Sequence, residues 1–241
     1  AMYKDLSLCL AVANSADCLP RFMAWALPRF EDIIILKSDS DDYTDAMLDR
    51  YAAENDSISL YYKPIKNIAD QKQTCVNYSD KEYKLIVDAD EIVQEANWDE
   101  IVNYMRSNSI NLIHLPRFNL QKDDKHYLPD AYPDWQPRLF DSTVSFNLDP
   151  LYETHHVMQG AKNQSGLQDT HIIHWGHIRC EEQMQWKSDM RKQYADTDRC
   201  DGKGLLETKN WYYERNKTLG FDDKAVALNK NVIDYIYSIE E

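Results

Sequence analysis

Between residues 5 and 109 the chain alternates four times between a short apolar run and a stretch of helical periodicity, and few folds accept that rhythm. "DLSLCLAV" (5–12), "DIIIL" (32–36), "SISLYY" (57–62) and "YKLIV" (83–87) read as strands. Between and after them lie "LPRFMAWAL" (19–27), with Pro20 in its first turn, "TDAMLDRYAAEN" (44–55), capped by Thr44, a polar helix near 68–79, and "NWDEIVNYMRSN" (97–108). Strands that are apolar almost throughout need cover on both faces. The expectation is therefore an α/β fold with a Rossmann-like, mostly parallel central sheet flanked by helices, whose ligands gather at the carboxyl ends of the strands. After residue 109 the rhythm breaks: "INLIHLPRFNL", "QPRLFD" and "HIIHWGHI" are strand-like but separated by polar and aromatic loops, which predicts antiparallel additions and an acceptor-facing surface. From about 180 onward the pattern reads as surface helices.

The fourth strand runs into "DADE", which sets Asp88, Asp90 and Glu91 within four positions at the predicted ligand edge. Carboxylates so crowded repel one another unless a cation compensates. Oxygen ligands suit Mg²⁺ or Mn²⁺, ions that take their remaining ligands from water and substrate phosphates. The competing reading is a solvated acidic turn opening the next helix, with Glu91 at its N-terminus. The stretch "DSDDYTD" invites a calcium-loop reading and fails it, because Thr44 stands where that loop needs glycine and Arg50 where it needs glutamate.

Acidic residues outnumber basic ones 41 to 27, a formal charge of -14 with no Lys/Arg block, which argues against nucleic-acid binding. Five scattered cysteines without CxxC spacing read as reduced, packed thiols. No apolar run reaches membrane-spanning length and no leader precedes the first strand, so the expected setting is the cytoplasm, the host's if the chain is viral.

"SLCLAVANSADCLPRFMAWAL", "DIIIL" with "KSDSDDYTD", "LIVDADE", "YPDWQPRLF", "LYE" and "IIHWGH" follow one another over roughly residues 5 to 180. This series resembles the successive motifs of the family 2 glycosyltransferases of GT-A fold, nearest the bacterial and viral branch that decorates polysaccharides or glycoproteins. The resemblance implies a GT-A catalytic domain over 1–180, its nucleotide-sugar half at 1–109 and acceptor half at 110–180, with 181–241 a helical extension packed on it. It implies a metal-dependent, inverting, hexosyltransferase-like enzyme. The donor would be a nucleotide sugar, a UDP-sugar before GDP or dTDP, and the acceptor a glycan or glycoprotein hydroxyl. The ion would be Mn²⁺ or Mg²⁺, ligated directly by Asp90, with Asp88 reaching the ribose or the ion through water and His174 closing over the diphosphate or metal.

Further roles follow from the same resemblance. Glu153 matches the glutamate of the family's His-Glu pair, with Tyr152 in place of the histidine, and is the expected base; Asp134 is the reserve candidate. Asn14, Asp39 and Asp42 match positions that touch base and ribose, while Lys37 stands where the family usually has an aspartate. By their position on the helix before the acidic tip, and not by the resemblance, Lys72 and Gln71 could reach the diphosphate or lie on an exposed helix face. Tyr127, Tyr132 and Trp135 offer aromatic platforms for an acceptor sugar. On a strand of period two, His174 would share a face with Ile172 and Gly176, and His171 and His177 the other with Trp175. Two alternatives stand: a noncatalytic nucleotide-sugar or carbohydrate-binding module of a larger protein, and an Asp-nucleophile phosphatase, against which three preceding strands and Ile92 argue.

Overall fold

The computed structural model describes residues 3–148, 156–180, 183–186, 189 and 220–240. β1 (Leu6–Val12) lies between β2 (Ile33–Lys37) and β4 (Tyr83–Ile86), parallel to both, with Leu8 opposite Ile33 on one side and Leu85 on the other. β3 (Ile58–Tyr62) extends the parallel half beyond β2. The sheet then continues through β8 (Asp134–Asp141), β6 (Leu112–Asn119), β12 (Ile172–His174) and β5 (Glu91–Val93), giving the order β3-β2-β1-β4-β8-β6-β12-β5, with β11 (Gln164–Gly166) also on β6. β8 is antiparallel to both β4 and β6, the predicted change of character after residue 109, whereas β12 runs parallel to β6.

Two layers cover the sheet because its strands bury both faces. α1 (Leu19–Ala26), α2 (Thr44–Glu54) and α4 (Trp98–Ser107) supply Leu19, Phe22, Trp25, Leu48, Trp98 and Met105 to the larger core, with Leu8, Leu10, Ile33, Ile35 and Leu85. α3 (Ile68–Asn77) covers the opposite face through Ala69, Cys75 and Val76, against Cys9, Ile34, Ile86, Leu112 and Phe140. Each fully buried Leu or Ile contributes about 1.5–3 kcal/mol, so both layers are needed to hold the parallel strands. Asn67 and Asn97 cap α3 and α4, accepting from the Asp70 and Glu100 amides at 2.8 and 3.3 Å.

The chain departs from the sequence reading at three places. Thr44 does not cap α2: its hydroxyl accepts from the Ser15 amide at 2.7 Å, and Asp42 accepts from the Thr44 amide at 2.9 Å instead. Glu91 opens no helix but begins β5, a short strand that the acidic motif concealed. Near the C-terminus, α5 (Phe221–Lys224) and α6 (Lys230–Glu240) are separated by β13 (Val226–Ala227), which pairs with β7 (His126–Tyr127). α6 is not merely a surface helix, since Val232, Ile236 and Ile239 enter the larger core and Tyr235 donates to the Val93 carbonyl at 2.8 Å. β9 (Ser145–Leu148) and β10 (His156–Gln159) form a hairpin, with Phe146 bonded to Gln73 of α3 at 2.7 Å.

Candidate active site

β4 ends at Ile86, and its continuation turns back within four residues. The Glu91 amide donates to the Asp88 carbonyl at 2.9 Å, and the Asp88 amide donates to the Glu91 carboxylate at 3.2 Å. Glu91 then pairs with His174 as β5 meets β12. The turn places Asp88 and Asp90 at the carboxyl edge of the parallel strands, where the alternation predicts a ligand.

The charge at this edge is largely compensated by the protein itself. Lys72, from α3 and with only 4 % of its side chain exposed, reaches Asp88 Oδ1 at 2.9 Å. Arg138 reaches Asp88 Oδ2 at 3.3 Å and both oxygens of Glu91 at 2.7 and 2.8 Å. Arg138 can do this because it is the unpaired residue of a β-bulge: Ile113 opposes Leu139 but His114 opposes Pro137, so the intervening side chain is re-aimed. Arg117 bonds Glu91 at 2.8 Å and Asp134 at 2.7 and 2.9 Å. Burial works against ionisation of Asp88, but the Lys72 ammonium and then the Arg138 guanidinium outweigh it and hold the carboxyl well below the usual range, against repulsion from Asp90. Asp134 is likewise lowered, burial opposing and Arg117 and Asn119 prevailing.

Asp90 faces a different neighbour. Asn119 donates its amide to Asp134 at 2.9 Å, so its carbonyl oxygen is the atom 2.7 Å from His174 Nδ1 and accepts from it. That assignment leaves the lone pair of His174 on Nε2, which lies 3.7 Å from Asp90 Oδ2. The separation exceeds a hydrogen bond. Fixing one imidazole nitrogen by an amide while the other faces a carboxylate is how metal-ligating histidines are oriented. Gly176 lets the ring settle there: β12 ends at His174, the chain turns, and a Cβ on Gly176 would overlap His174 Nε2. Among the described residues no group of three His, Cys, Asp or Glu side chains could hold a metal ion by itself; Asp90 and His174 could contribute two ligands to an ion whose remaining ligands came from substrate and water.

Arg179 closes this edge from the C-terminal side. It bonds Asp17 at 2.6 and 3.1 Å and the Asn14 carbonyl at 3.1 Å, and stands 3.7 Å from Asp90. Gln183 continues the contact, donating to Asp42 at 2.7 Å.

The other predicted residues divide by location. Asn14, buried and at φ 44°, accepts from the Asp41 amide at 2.7 Å and so shapes the loops after β1 and β2. Asp42 accepts from Ala16, Thr44 and Gln183, and these bonds lower its pKa although burial alone would raise it. Asp39 is exposed and accepts from the Tyr62 hydroxyl at 2.6 Å. Lys37 turns away to Asp49 of α2 at 2.7 Å. Gln71 donates to the Lys63 carbonyl at 3.1 Å. Glu153 and Tyr152 lie outside the described residues.

The aromatic trio also divides. Tyr132 stacks on Phe118 at 4.8 Å and bonds His171 at 3.0 Å, and Tyr127 meets Phe118 edge-on at 4.9 Å. Trp135 lies instead beside Gly166 of β11, where a Cβ would stand 3.0 Å from its ring. Glu91, Arg117, Asn119 and Arg179 are the members of the network whose roles sequence reasoning missed.

The sequence model described as "Glycosyl transferase family 2" matches residues 7–161, more than half of the chain. The chain belongs to glycosyltransferase family 2. Its activity is therefore glycosyl transfer, which removes the phosphatase alternative. No curated protein matches the sequence significantly. Among solved structures, the chain is similar to S. aureus TarS 1-349 in complex with UDP-GlcNAc, at 11% identity and TM-score 0.50, covering 98% of this chain and 79% of that one. It is also similar to the mannosyltransferase PcManGT from Pyrobaculum calidifontis in complex with GDP-Man and Mn2+, at 13% identity and TM-score 0.50, covering 98% and 84%. Likeness at such identities concerns the fold, and it agrees with the GT-A architecture of this family 2 glycosyltransferase.

Proposed function

We propose that this family 2 glycosyltransferase moves a sugar from a nucleotide-sugar donor to a hydroxyl of a glycan or glycoprotein, with inversion and with the help of a divalent ion. The observation that carries the metal is the facing pair of Asp90 and His174, oriented by Asn119 at the carboxyl edge of β4. A nitrogen donor beside the carboxylate favours a transition-metal ion, Mn²⁺ over Mg²⁺. The complexes of the two structural neighbours with UDP-GlcNAc and with GDP-Man and Mn2+ support a nucleotide-sugar donor here.

Bound at Asp90 and His174, the ion would supply Lewis-acid stabilisation of the charge on the departing diphosphate. Lys72 and Arg138 hold Asp88 ionised and fixed, so that it can accept from a ribose hydroxyl or a bound water. The loops carrying Asn14, Asp39 and Asp42 adjoin the ends of β1 and β2, where the nucleoside would lie. In the transfer the acceptor oxygen bonds the anomeric carbon, the bond from that carbon to the diphosphate oxygen breaks, and the hydroxyl proton passes to a base. Glu153 is that base by resemblance. Asp134, whose oxygens already accept from Arg117, Asn119 and Gln136, suits an anchoring part better.

A thermal-shift screen of UDP, GDP and dTDP, each with and without Mn²⁺, tests the reading. One nucleotide should stabilise the protein only with the ion, Asp90→Ala should abolish that gain, and Glu153→Gln should keep it while losing transfer. Stabilisation that survives Asp90→Ala unchanged would refute the metal assignment, and normal transfer by Glu153→Gln would place the base elsewhere.

A further inference from the structure

The face of β8 turned away from Asp134 carries a second feature. Trp135 is 39 % exposed and lies over the backbone of β11, so close that a Cβ on Gly166 would stand 3.0 Å from its ring. Together with His114, Gln164, Ser165, Gly166 and Gln168 it lines an open cleft of about 480 Å³. β6 is the floor that brings these residues together: it pairs with β8 on one side, Pro116 opposite Trp135, and with β11 on the other, Gly166 opposite His114. His114 Nε2 and Gln164 Oε1 are 2.8 Å apart, which holds the imidazole against one wall.

We propose that this cleft binds a neutral sugar residue of the acceptor glycan, one unit or more away from the hydroxyl that reacts. The inference rests on the glycan-acceptor reading above and adds a site and a class of ligand to it. The chemistry of the lining carries it. An exposed indole offers a rigid apolar face for the C–H face of a pyranose, while two primary amides, a serine hydroxyl and an imidazole offer paired donors and acceptors for its hydroxyls. Among the described residues no Asp, Glu, Lys or Arg lines the cleft, so none of them there selects a phosphate, a carboxylate or a sulfate. The volume lies within the range of small-ligand sites, about 300–1,000 Å³.

Its placement suits an acceptor as well. Leu112 and Phe140 pack toward α3, and by strand alternation His114 and Trp135 share that face, from which Lys72 reaches Asp88. Along β8, Trp135 and Arg138 are three residues apart, roughly 10 Å at a strand's rise per residue. A sugar seated in the cleft therefore belongs to an acceptor that continues toward the acidic edge.

The test is saturation-transfer NMR on the full chain with maltotetraose, cellotetraose, mannotetraose and chitotetraose, and with tetragalacturonate as the acidic control. At least one neutral probe should bind, Trp135→Ala should weaken it on the order of tenfold, and Trp135→Tyr should restore most of the loss. Gly166→Leu, which fills the cleft from the opposite wall, should abolish the same signal. Binding of no neutral probe, binding indifferent to both positions, or binding of tetragalacturonate alone would overturn the proposal. Mn²⁺-dependent stabilisation by a nucleoside diphosphate is recorded on the same preparations. Where that persists and the sugars fail, the cleft assignment falls alone; where both fail, the donor reading falls with it.

Discussion

Glu91→Gln perturbs the strut on which the acidic edge is built. The Glu91 carboxylate is wholly buried and takes Arg138 on both oxygens, at 2.7 and 2.8 Å, and Arg117 on one at 2.8 Å. Glutamine keeps the shape but removes the charge and turns an amide donor toward a guanidinium. Breaking a buried ion pair from one side costs about 3–5 kcal/mol, because the remaining charge is left without its partner. Arg117 retains Asp134 and Arg138 retains a longer contact to Asp88, which places the expected loss at the lower end, about 3 kcal/mol. For a chain of this size that corresponds to a fall in Tm of about 6–12 °C. Differential scanning fluorimetry and urea unfolding at pH 7 measure it, and the urea slope should not change. The double variant Glu91→Met with Arg138→Met replaces both partners by apolar groups and should recover part of the loss. A Tm within about 2 °C of the parent for Glu91→Gln would refute the reasoning, since removing one partner of a buried pair leaves the other charge uncompensated at a cost of about 3–5 kcal/mol.

Asn119→Ala should lower Mn²⁺ affinity in the presence of the stabilising nucleotide about 10- to 100-fold, read by electron paramagnetic resonance of free Mn²⁺, because His174 loses the partner that orients it. The pH dependence follows from Asp42 and Asp134, whose folded pKa values are depressed. Such groups contribute stability that is fully present above their unfolded pKa of about 3.9 and is lost as pH falls through the folded value. The urea midpoint should accordingly hold from neutral pH down to mildly acidic pH and then decline below about pH 4, and Asp134→Asn should flatten that decline. EDTA should leave the Tm of the nucleotide-free protein unchanged while abolishing the gain from a nucleoside diphosphate; a fall on EDTA alone would show that an ion holds the fold.

The parallel half of the sheet was legible because burial on both faces leaves a continuous apolar run, as in "DIIIL", and helical periodicity fills the intervals. β5 was not legible, because three residues of strand follow directly on a tight turn and begin with a carboxylate that reads as exposed. Glu91 is the instructive case: in sequence it belongs to the acidic tip, yet its burial depends on Arg117 and Arg138, which arrive from strands far along the chain. A faint signal for Arg117 and Asn119 existed, since both stand two apart at the polar end of "LIHLPRFNL" and must share a face. Nothing in "WGHIRC" announced Arg179, whose partners Asp17 and Asp90 are brought near only by the tertiary fold. The role of Arg138 turns on a bulge beside Pro137, a residue that sheets accept at edges and bulges, so a signal for the irregularity stood in "QPRLF".

Crowded carboxylates were expected to need a metal for electrostatic reasons, and the geometry changes that argument. Lys72, Arg117, Arg138 and Arg179 lie against Asp88, Glu91, Asp134, Asp90 and Asp17, so the edge approaches neutrality before any ion arrives. A divalent ion entering alone would meet Arg179 as well as Asp90, and gain little. With a departing nucleoside diphosphate the sum reverses: about three negative charges meet the ion's two positive ones, and Lys72 and Arg179 at this edge would share the surplus. On the proposed reading, the same cations that let the fold bury its acids would thus make ion and nucleoside diphosphate bind best together. The ion's task would then be confined to the leaving group, and the fold would not depend on it.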